Sequence, residues 1–167
     1  MKNADGDAVV VVFVSYFMSP DFYNVVLMAE VMVCAKSDAL QKIAKKESYA
    51  GNDVPVLYRN KIQTAWRMPG VDKAAKLAPE AVAANWTAAD TAKLRTALDA
   101  AAGELAELAH WDMEQPARDD YGNSGATVFA QIYDNNSVST RQATVYRYEN
   151  HRLWLRTKDG RLYAQSD

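Results

Sequence analysis

The C-terminal part of the chain alternates. Four runs, Ala126 to Tyr133, Val138 to Tyr148, Arg152 to Thr157 and Arg161 to Gln165, change side-chain character at every second position and are separated by short turns. Side chains two apart share one face of a strand, and turns this short join antiparallel neighbours, so the pattern predicts a four-stranded antiparallel meander. One face collects Val128, Ala130, Ile132, Ala143, Val145, Leu153, Leu155, Leu162 and Ala164. Small and aliphatic, it is expected to pack on helices. The other collects Tyr146, Arg152, Trp154, Arg156, Arg161 and Tyr163, together with Phe129, Tyr133 and Tyr148. Arginines and aromatics bury large areas while keeping a polar handle, which enriches them at binding hot spots. Tyr146, Arg152, Trp154, Arg156, Arg161 and Tyr163 are therefore the candidate binding residues, on an exposed sheet face. Cross-strand aromatic packing is the alternative use of the same pattern.

The preceding sequence reads as mainly helical. Ala8 to Met18, AVVVVFVSYFM, is rich in β-branched residues and suits a buried strand. It is too short to cross a bilayer as a helix, and its flanks, with Asp5 and Asp7 before it and Pro20 after it, do not resemble those of a signal peptide. Ser19-Pro20-Asp21 has the form of a helix start, predicting a helix from Pro20 toward Lys46. The apolar half of that helix, residues 22–35, would serve as a core element or as a homodimer interface. Tyr49 to Lys76 shows no sustained period and reads as a connector. A short helix from Pro79 follows, then a longer one with Leu94, Leu98, Ala101, Leu105 and Leu108 on one face, ending near His110. A turn-rich break spans residues 119–125. The expected fold is α+β: a single domain over residues 1–167, in which an N-terminal strand and helices (1–118, mainly helical) pack on the four-stranded antiparallel meander (122–167).

With 167 residues, 49% of them hydrophobic, and one cysteine, the chain can build a core without disulfides. A net charge of −2 gives no general attraction to a polyanion and argues against nucleic acid as partner. The charges are nonetheless uneven: residues 36–79 hold nine basic and four acidic side chains, and residues 80–120 three basic and nine acidic. The two segments are expected to complement each other. Without a recognisable leader or membrane span the cytoplasm is favoured, or the periplasm had a leader been removed.

Chemical motifs are few. Glu107-x-x-His110 has metal-site spacing, but a di-metal bundle needs two such pairs and the chain has two histidines in all, so no metal is expected. Cys34 has no neighbouring base in sequence. No nucleophile elbow, phosphate loop or dinucleotide fingerprint occurs, and no cofactor is implied. The sequence thus points to a non-enzymatic protein-binding module, of the inhibitor, immunity or adaptor kind, with another protein as partner. The alternative is a small-molecule-binding protein or hydrolase with a cavity between sheet and helices, served by Glu104 or Glu107.

Overall fold

The computed structural model describes residues 6–71, 76–115, 126–134 and 137–166. Its elements run β1 (Ala8–Met18), β2 (Asn24–Ala35), α1 (Asp38–Gln41), β3 (Lys45–Tyr49), β4 (Asn52–Arg67), α2 (Pro79–Thr87), α3 (Ala92–Glu114), β5 (Thr127–Asp134), β6 (Ser137–Glu149), β7 (Arg152–Thr157) and β8 (Leu162–Ser166). The expected helices on a four-stranded antiparallel meander must be corrected. Strand takes 52% of the described residues and helix 25%, in one eight-stranded mixed sheet. Its order is β1-β2-β4-β8-β7-β6-β5, with β3 paired to β4. The C-terminal strands form one half of this sheet, joined through a parallel contact between β8 and β4. The turn expected at 119–125 lies outside the described residues.

The largest departure is at residues 22–35, where no helix forms. Val25, Val26, Val31 and Val33 favour extended backbone, and the stretch becomes β2, paired antiparallel with β1 on one side and β4 on the other. A homodimer through an apolar helix 22–35 therefore has no helix to use. Ser19 and Asp21 close a hairpin instead of capping a helix. The Ser19 hydroxyl donates to Asp21 at 2.6 Å, and the N–H groups of Tyr23 and Asn24 donate to Asp21 and Ser19 at 3.1 and 2.9 Å. A small oxygen-bearing side chain satisfies a free backbone N–H equally well in either setting. The supposed connector is largely strand: β4 spans sixteen residues, and Pro55 is tolerated where β4 meets only the short β3. Ala50 and Gly51, both at positive φ, make the two-residue turn between these strands.

Helices α2 and α3 do form where Pro79 and the leucine stripe place them. Ala101, Leu105 and Leu108 of α3 meet Leu27, Ala29, Val31, Ile62, Leu162 and Ala164 of the sheet in the main core. Helix α2 seats Val82 and Trp86 against Tyr23, Val25 and Met68. On the opposite face, the end of β5 lies across the sheet and packs Tyr133 on Val26 and Ala65. Gln63 fixes this crossing, since its amide donates to the Tyr133 carbonyl at 2.6 Å and accepts from the Tyr133 N–H at 3.1 Å.

Candidate functional site

The Arg/aromatic set does not form an exposed face. In strand β7, Arg152, Trp154 and Arg156 point toward α3, and Trp154 and Arg156 are buried at 6% and 3% exposure. Leu155, expected beneath the helices, is buried on the far side with Ala130, Ile132, Ala143 and Tyr163. The face assignment is thus reversed for β7. Strand β8 keeps the expected assignment and so differs in phase from β7: Ala164 pairs with Trp154, and Leu162 and Ala164 lie on the helix side with Tyr163 on the other. Tyr146 and Arg161 are half-buried. Tyr146 faces Trp111 of α3 at 5.3 Å between rings, and Arg161 pairs with Asp159 at 3.2 Å.

Arginines are accommodated beneath a helix because α3 carries a carboxylate for each. Glu104 receives the Arg152 fork, with Nε at 3.0 Å from Oε1 and Nη2 on Oε2. Both its oxygens also accept indole N–H groups, from Trp66 at 2.9 Å and Trp154 at 3.2 Å. Two turns further on, Asp112 accepts from Arg156, from the Tyr58 hydroxyl and from Asn60 at 2.7 Å. Arg152 stacks over Trp66 at 4.5 Å, and Arg156 over Trp111 at 5.2 Å. Burial, followed by the Asp112 carboxylate, drives the Tyr58 phenol far above its ordinary pKa. Here lies the charge complementarity: among the described residues the buried acids of α3 pair with C-terminal arginines and not with the basic segment 36–79.

Both Glu104 oxygens are thereby held by fixed donors, two from Arg152 and two from indoles. The main core fills the centre of the sheet–helix layer, so the opening expected beside Glu104 and Glu107 lies at its margin. A cleft of about 360 Å³ opens beside it, between α3 and the β6–β7 turn, where Arg147 is paired with Glu149 and Arg152 with Glu104. His110 sits on the exposed side of α3, 3.3 Å from Glu114. Among the described residues no group of three or more His, Cys, Asp or Glu side chains is placed to hold a metal.

A different feature stands out at the sheet's end. Strand β1 is an edge strand of eleven residues without a charge, paired to β2 in unbroken register from Ala8–Ala35 to Met18–Val25. Val10, Val12, Val14 and Tyr16 point to the helix side, beyond the reach of α3, and are 49–65% exposed; Val9 and Phe13, on the other side, are 42% and 44% exposed. Natural edge strands are ordinarily blunted by charge, proline, a bulge or a covering segment. Strand β1 has none of the first three, and among the described residues no strand pairs with its outer edge, although the Tyr49 ring of β3 lies 5.5 Å from that of Phe13 on one face. At the opposite end β5 is protected: side chains of Gln63 and Gln165 bond the backbone of Tyr133 and Gln131. The sequence signal for β1 was its unbroken apolar character, which reads equally as a strand buried on both faces. Which of two successive apolar runs takes the edge depends on the distant β4.

No family model, no curated protein and no solved structure matches this chain. Among the described residues no helix is long and apolar enough to cross a membrane.

Proposed function

We propose that this protein is a non-enzymatic protein-binding module that binds by strand addition at β1. The observation that carries this reading is the eleven-residue, charge-free, unblocked edge with six large apolar side chains in solvent. Strand addition satisfies the row of outward N–H and C=O groups and covers the flanking apolar rows in one step. The complementary strand must be extended, uncharged and apolar on both faces. The β1 strand of a second copy meets each condition, and antiparallel pairing about a two-fold axis sets like against like without a charge clash. Two eight-stranded sheets then become one continuous sheet.

The Arg152, Trp154 and Arg156 layer supports this role indirectly. It ties β7 to α3, and α3 in turn holds the β2–β4 platform on which β1 is mounted. Sedimentation equilibrium on the 18.5 kDa chain tests the proposal. A reversible monomer–dimer equilibrium is expected. A species that stays monomeric at the highest attainable concentration would reject self-pairing.

A further inference from the structure

Arg67 ends β4, half-buried, and differs from the arginines beneath α3 in having no carboxylate of its own among the described residues. Its Nε is buried without a hydrogen-bond partner, and no described carboxylate forms an ion pair with it. Arg152 and Arg156 show how this fold treats a buried arginine that serves structure: each has its own acid. A half-buried guanidinium with no acid of its own remains available to an anion that reaches it.

The surroundings of Arg67 select a ligand class. On the face opposite α3, β4 and β8 cease pairing beyond Thr64 and Ala164, and a cavity of about 370 Å³ lies there, lined by Arg67. Of its polar neighbours, Asn24 spends its NH2 on the Tyr133 hydroxyl at 3.3 Å and keeps its Oδ1, whereas the other three have an acceptor engaged. Gln165 accepts the Gln131 N–H through Oε1 at 3.0 Å, Gln131 accepts the Tyr133 hydroxyl through Oε1 at 2.9 Å, and Ser166 accepts Arg152 through Oγ at 3.0 Å. What those three retain is the two amide NH2 donors and the serine O–H. Asp21 lies close enough to influence the same Tyr133 phenol, but it is engaged with the Ser19 hydroxyl and the Tyr23 N–H. Leu153 and Ala65 supply apolar wall, and Phe129, 75% exposed, stands at the rim.

We propose that this cavity binds a small organic carboxylate, its charge on Arg67 and the retained donors, its apolar body against Leu153 and Phe129. A planar carboxylate matches the guanidinium fork, and a pocket of this size suits a small ligand. The site is independent of β1.

The probes are 3-phenylpropionate, its uncharged amide and inorganic phosphate, titrated into the full chain while the Arg67 Nε–Hε resonance is followed. Saturable displacement of that resonance by 3-phenylpropionate is expected, with the amide and phosphate at least tenfold weaker. Arg67→Met should abolish the response and melt no lower than the parent protein, because the removed charge had no partner. Equal binding of acid and amide would overturn the charge assignment, and equal binding of phosphate would overturn the apolar subsite. No saturation, or undiminished binding to folded R67M, would remove the site altogether. If R67M fails to fold, the resonance of the unaltered protein still decides between these outcomes.

Discussion

Replacing Val12 and Val14 together by lysine should separate association from folding. Both side chains lie on the uncovered side of β1, at 49% and 58% exposure, so each protomer presents about one valine's worth of apolar surface at these positions. A two-fold dimer buries that amount twice. At roughly 1.5–2 kcal/mol for a fully buried valine, the lost contact is about 3 kcal/mol. Every 1.4 kcal/mol is about tenfold, so the dimer dissociation constant should rise about a hundredfold or more, with desolvation of four ammonium groups adding to the loss. The monomer should be little affected, since exposed substitutions usually change stability by within about 0.5 kcal/mol. Sedimentation equilibrium gives the association constant, and thermal melting gives the stability of the monomer. An unchanged dissociation constant would show that β1 is not the interface. A variant that unfolds would show that these valines belong to the core.

Other perturbations test the interior. Asp112→Ala strands Arg156 beneath α3 and should cost about 3–5 kcal/mol, lowering the melting temperature by about 10 °C. Arg67→Met, which removes a cation without a partner, should leave the melting temperature unchanged or raised. The phenols of Tyr58, Tyr133 and Tyr163 are all raised above 10.0, chiefly by burial. Above pH 10 the unfolded chain releases these protons while the folded chain keeps them. Stability is therefore fully present below about pH 10 and falls as pH rises beyond it, which denaturant melts at stepped alkaline pH would register as a declining midpoint.

The sequence made some of this legible and concealed the rest for definable reasons. The leucine stripe of α3 and the four C-terminal strands were readable, because local period alone decides them. The helix expected at 22–35 failed because apolar character all round suits a core helix and a strand buried on both faces alike. Val25, Val26, Val31 and Val33 were the evidence for the strand. Arg152 and Arg156 look like surface residues until α3 supplies Glu104 and Asp112 from 48 and 44 positions away. The β8 phase slip arises where Asp159, Gly160 and Arg161 carry the chain round, with Gly160 at positive φ. Arg67 gave no signal at all, since its meaning lies in the partner it lacks.

Amide hydrogen exchange along residues 8–18 tests the role of β1 most directly. In the register with β2, alternate N–H groups point inward to the sheet and outward from its edge. Strand addition predicts that the outward amides become as protected as the inward ones, with protection rising as protein concentration is raised. Outward amides that exchange at unprotected rates at every concentration, beside protected inward ones, would contradict it.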